Sequence, residues 1–179
     1  MDSANFELDI VRQHWIKDDG IYDKNDLCSH GEVYIKIGSE ELSDKDAGSW
    51  SLSTAGLFLM RSLEQDSGFQ ENANYMVPCC GHSIYPLENE TKLVIVPGCN
   101  SGVDWKVKHV DDLIELTTER GTKARLRFDQ YKNMVLAFAD EVESFYGDPK
   151  EKNVPSDEYE EEGFTRFWDE WNALKRKWA

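Results

Sequence analysis

The sequence predicts an α+β fold: a mostly antiparallel β-sheet with one mid-chain helix and two C-terminal amphipathic helices packed on one face. Three observations carry this. Apolar residues recur at every second position over residues 6–10, 33–37 and 103–128, the spacing of strands with one buried face. After Phe128 the apolar period changes to 3.6, the spacing of helices. No self-similar repeat and no long low-complexity tract divides the 179 residues, so one α+β domain over 1–179 is expected, β-rich over 1–128 and helical over 129–179.

The elements follow in order. Phe6, Leu8 and Ile10 alternate with Glu7, Asp9 and Val11 as a first strand, and Val33, Ile35 and Ile37 alternate with polar neighbours as a second. Between them residues 18–31 are rich in Asp, Asn and Gly and read as a loop. A helix is expected near 53–66, with Ser53 as its cap, Leu52 stapled onto Leu57, and Leu57, Met60 and Leu63 as its apolar stripe. Two short runs, Asn74 to Val77 and Leu93 to Val96, end at Pro78 and Pro97, which bars them from a central ladder. Val103 to Phe128 reads as a β-meander turning at Arg120-Gly121. Asp129 then caps a helix whose stripe is Tyr131, Met134, Val135, Phe138, Val142 and Phe145, ended by Gly147 and Pro149. The last helix carries Phe164, Phe167, Trp168, Trp171, Leu174 and Trp178, with acids at its start and Lys175, Arg176 and Lys177 at its end, as the helix dipole favours.

Composition narrows the function. The 35 acidic and 20 basic residues give a formal charge of -15, which argues against bare nucleic acid as a partner. The longest apolar run, near Leu57 to Met60, falls far short of the ~20 residues of a membrane helix. The start Met1-Asp2-Ser3-Ala4-Asn5 has neither a basic nor an apolar leader segment, so a cytoplasmic address is expected. Four cysteines are too few for a disulfide scaffold.

The metal candidates are Cys79, Cys80, His82, Cys99 and His109, with Cys28 and His30 in reserve. These are zinc-ligand types, but one local pair facing single residues about 20 and 30 positions on departs from the usual pair-and-pair spacing. The expectation is therefore no cofactor, with zinc as the alternative, and Cys80 and Cys99 as small buried apolar residues apart from any tetrahedral metal set. A thiol nucleophile using the same cluster meets an acidic surrounding that raises a thiol pKa. The turn Gly98-Cys99-Asn100-Ser101-Gly102 lacks the lysine and following helix of a phosphate loop. Lys106, Lys108, Lys123, Arg125 and Arg127 are read as cross-strand partners of Glu115, Glu119 and Asp104.

Acids concentrate in two loops. Asp23 and Asp26 in the first, with Glu40, Glu41, Asp44 and Asp46 in the second, are the candidate binding residues, a negative surface able to steer a basic protein into place. The small size, the acidity, the turn Gly98-Cys99-Asn100-Ser101-Gly102-Val103-Asp104-Trp105 and the tail Phe164-Thr165-Arg166-Phe167-Trp168-Asp169-Glu170-Trp171 resemble, in overall character, small acidic bacterial proteins of toxin-immunity type. The expected function is a noncatalytic cytoplasmic binding protein, and the resemblance implies an immunity protein neutralising a cognate basic toxin. The alternatives are a metal-dependent or thiol enzyme built on the cysteine and histidine cluster, and a structural subunit that self-associates through Phe167, Trp168 and Trp171; monomer and small homo-oligomer both stay open.

Overall fold

The computed structural model describes residues 6–69, 75–89 and 91–179. The fold is α+β, with eleven strands in four antiparallel sheets among the described residues. The first sheet joins β1 (Phe6–His14), β2 (His30–Ile37), β3 (Glu40–Ser43) and β4 (Trp50–Ser51), with β2 pairing all three others. Phe6 faces Ile37 and Leu8 faces Ile35 across the first ladder. Val33, Ile35 and Ile37 are fully buried, as their alternation requires.

The mid-chain helix α1 spans Leu52–Arg61. It is shorter than expected and is capped by Ser51, not Ser53. Ser53 lies inside it, where its hydroxyl accepts the Ser29 amide at 3.2 Å. Every residue of α1 is buried, so it is a core helix and not an amphipathic one. Gly56 is where the last helix crosses it: a Cβ there would stand 2.6 Å from the indole of Trp171.

Two-residue strands follow: β5 (Val77–Pro78) pairs β8 (Gly102–Val103), and β6 (Tyr85–Pro86) pairs β7 (Val94–Ile95). The expected run from Asn74 begins outside the described residues. The meander forms as β9 (Lys106–Val110), β10 (Leu113–Thr117) and β11 (Lys123–Arg127). Glu115 on its central strand receives Lys123 at 3.0 Å and Arg125 at 2.6 Å, the cross-strand pairing its sequence suggests.

Helix α2 (Phe128–Tyr146) begins one residue before Asp129, which sits in its first turn. Its buried stripe is Tyr131, Val135, Phe138, Ala139, Val142 and Tyr146. Tyr146, not Phe145, completes it, because the 3.6-residue period carries the stripe from 142 to 146. A 3-10 turn, Pro149–Glu151, leads to α3 (Glu158–Trp178), capped by Asp157, whose side chain accepts the amides of Tyr159 and Glu160. Phe167, Trp168 and Trp171 are buried within this same chain. Trp168 packs 4.5 Å from the Tyr146 ring and Trp171 reaches α1, so the aromatic face expected to drive self-association is consumed internally. Among the described residues no helix is long and apolar enough to cross a membrane.

Candidate functional site

The two acidic loops have different fates. In the first, Asp26 accepts the Ile16 amide at 2.8 Å and the Cys28 amide at 3.1 Å and lies 3.4 Å from His30. Burial pushes its carboxyl up, but the facing His30 ring and the amide bonds from Ile16 and Cys28 outweigh this and hold it below the ordinary range. Asp23 is buried; its side chain takes the Asn25 amide and Lys17, and its carbonyl takes the Lys152 ammonium at 2.8 Å. Asn153 is bonded to the Lys24 carbonyl and to the Asn25 side chain. This loop is tied to the α2–α3 connection, and Asp23 and Asp26 are structural groups instead of the solvated binding acids expected.

The second loop keeps acids in the open. Glu41 and Asp46 are exposed, and Asp44 is half-buried, accepting the Asp46 amide at 2.8 Å. Glu40 is engaged: it accepts the Thr118 hydroxyl at 2.6 Å, which holds its carboxyl below the ordinary range, and Arg120 stands 3.7 Å away. Together β3, Ala47 and Trp50 form one wall of a cleft of about 520 Å³. The turn from Asn100 to Asp104 forms another wall, and Glu119 and Arg120 of the β10–β11 turn also line the cleft. Glu41 and Glu119 are its exposed acids, while Asp104 is buried and accepts the Met76 amide at 3.2 Å. Trp50 and Tyr75 add aromatic surface. Such a lining suits a cationic, partly aliphatic side chain.

The turn that forms this wall also carries Cys99. Cys79 donates its amide to the Ser101 carbonyl at 3.0 Å, prolonging the β5–β8 ladder by one bond. The chain then bends at Cys79, so the adjacent side chains of Cys79 and Cys80 are free of the strand alternation that sends neighbours to opposite faces. The sulfurs of Cys79, Cys80 and Cys99 lie within 4.8 Å of one another. All three residues are partly exposed, so the expectation that Cys80 and Cys99 are buried apolar residues fails. Hydrogen bonds from Cys80 and Cys79 hold the Cys99 thiol below the ordinary range. The Cys80 thiol is pushed up to about 11 by its bond to Cys99 and by burial, and burial raises Cys79.

The other ligand candidates lie elsewhere. His82 is exposed and lines a separate hollow with Asp26, Ile84 and Glu160. His109 takes its place beside the Ser62 carbonyl at 2.9 Å and against the Phe128 ring. Cys28 is fully buried, 2.6 Å from the Ser51 hydroxyl. Neither histidine nor Cys28 belongs to the three-sulfur group.

Sequence reasoning missed Glu119, Arg120 and Trp50 as lining residues, because only the tertiary fold sets the β10–β11 turn against β3. Comparison of the chain with protein-family models, with curated proteins and with solved structures finds no match.

Proposed function

We propose that this protein is a noncatalytic binding protein that seats a basic segment of a partner protein in its acid-lined cleft. The observation that supports the reading is the placement of exposed Glu41 and Glu119 on separate parts of one cleft lined also by Trp50 and Tyr75, on a chain of net charge -15. Two exposed carboxylates in one cleft beside aromatic residues suit a lysine or arginine side chain, with the overall charge drawing it in from a distance. A basic toxin whose nucleic-acid-binding face is covered by an acidic immunity protein is the partner that the resemblance implies.

The test separates the cleft from charge in general. Glu41→Gln/Glu119→Gln and Glu158→Gln/Glu161→Gln remove the same charge, one pair from the cleft and one from the exposed start of α3. Titration with an arginine-rich peptide at physiological ionic strength, where the Debye length is ~8 Å, is expected to show affinity reduced at least about fivefold by the cleft pair, against less than about twofold by the helix pair, since more distant exposed charges are largely screened. Equal losses from both pairs would sink the reading.

A further inference from the structure

We infer that Cys79, Cys80 and Cys99 form a site for one thiophilic d10 metal ion, zinc or monovalent copper, held by three thiolates. The mutual separations, all within 4.8 Å, need only a small inward turn of each side chain to reach the ~2.3 Å metal–sulfur distance of such sites. Sulfur-only donor sets select these metals over the oxygen-seeking magnesium and calcium.

The backbone around the sulfurs is fixed by the fold and not by the cysteines themselves. The β5–β8 ladder sets Val77 against Val103 and Pro78 against Gly102, and the Cys79 amide bond to Ser101 locks the two segments at the point where the sulfurs converge. Cys99 Sγ also lies 3.8 Å from the Ser101 carbonyl. On the far side, Gly81 presses onto the start of α1: a Cβ there would come 2.0 Å from Thr54 Oγ1 and 2.1 Å from Ser51 Oγ, and Thr54 donates to the Gly81 carbonyl at 3.3 Å. A glycine at 81 is what lets the Cys79-Cys80 bend sit this close to a buried helix. The segment is thus held at both ends before any ion arrives, which lowers the ordering cost of binding.

Partial exposure of all three cysteines leaves a side open for the ion to enter. It also leaves room for a fourth, exchangeable ligand on zinc, the coordination that three protein ligands commonly leave. Monovalent copper is satisfied by the three sulfurs alone. The site is independent of the cleft reading, although the turn from Gly98 to Gly102 belongs to both.

The experiment uses the reduced full chain, titrated separately with zinc against a chromophoric chelator and with monovalent copper under anaerobic conditions. One ion per chain is expected for at least one metal. Cys99→Ser and Cys79→Ser are each expected to weaken binding by more than about 100-fold, beyond the 10–100-fold of outer-sphere changes. Cys28→Ser, outside the group, is expected to retain it. As a check that needs no variant, the metal should protect the peptides carrying Cys79, Cys80 and Cys99 from alkylation in the parent chain, with folding followed by circular dichroism. Failure of both metals to bind, binding retained by Cys99→Ser, or equal alkylation with and without metal overturns the assignment.

Discussion

Arg61 on α1 and Glu170 on α3, 109 residues apart, form a buried ion pair with Nε–Oε1 at 2.6 Å and Nη2–Oε2 at 2.8 Å. Backbone groups add to it: Arg61 donates to the Val94 carbonyl at 2.7 Å, and Glu170 Oε2 accepts the amides of Leu93 and Val94. The pair therefore fastens two helices and β7 with charge-assisted bonds that buried charges require. Glu170→Gln or Arg61→Met alone leaves an uncompensated group and is expected to cost about 3–5 kcal/mol in denaturant unfolding. The double replacement Arg61→Met/Glu170→Leu is expected to recover much of that loss. A single-variant loss below about 1 kcal/mol would contradict the role.

Lys152 gives the chain a pH signature on the alkaline side. Its ammonium lies 3.3 Å from the Trp15 ring centroid, 4.2 Å from that of Tyr22 and 4.8 Å from that of Tyr146. The ring faces and the carboxylates of Asp26 and Asp23 favour the cation, but loss of water prevails and pushes its pKa down to about 8 from 10.5. The unfolded chain keeps this proton to near 10.5, so between the two values it binds more protons than the folded one, and stability from this group rises with pH. A gain on the order of 1–3 kcal/mol between about pH 8 and 9.5 is expected in the parent, and a flatter profile in Lys152→Met. Identical slopes in the two proteins would show that Lys152 keeps an ordinary pKa.

Asp26 provides the acid-side counterpart. Its folded pKa lies below the ordinary 3.8, so its contribution is present above that value and lost as pH falls through the folded one. Asp26→Asn keeps some of the amide bonds yet loses the charge facing His30, and a destabilisation of about 1–3 kcal/mol at neutral pH is expected. An exposed loop acid such as Asp46 should change stability by less than about 0.5 kcal/mol when replaced by Asn. Equal effects at the two positions in urea melts would return Asp26 to the status of a solvated charge.

Local periodicity made most of the regular elements legible. Strands β1, β2 and β9–β11 and helices α2 and α3 each carry an apolar phase that agrees with their burial, because each has one wet face. Helix α1 was misjudged at both ends because it is dry all round, leaving no amphipathic contrast to mark its limits. The buried pair did leave a trace, Arg61 within an apolar run and Glu170 on the aromatic arc of α3, since charges at core positions are nearly always partnered. The three-sulfur group left none in its spacing. It arises from a two-residue ladder joining Val77 to Val103, 26 residues on, and Pro78 to Gly102, 24 residues on, and from a bend that frees adjacent side chains from strand alternation. Asp23 and Asp26 show the converse: an Asp-rich loop reads as solvated whether or not its carboxylates turn inward to the backbone.

Docking of a basic partner is proposed for the cleft, and not for the acidic surface of the chain at large. Its most direct measurement is the association rate of a fluorescently labelled arginine-rich peptide between low salt, where the Debye length is ~30 Å, and physiological salt, where it is ~8 Å. The parent and the Glu158→Gln/Glu161→Gln chain are expected to show the same steep fall in rate with salt. Glu41→Gln/Glu119→Gln is expected to start slower and to lose much of that dependence. If the cleft variant associates as fast as the parent at both salt concentrations, the cleft is not where the partner docks.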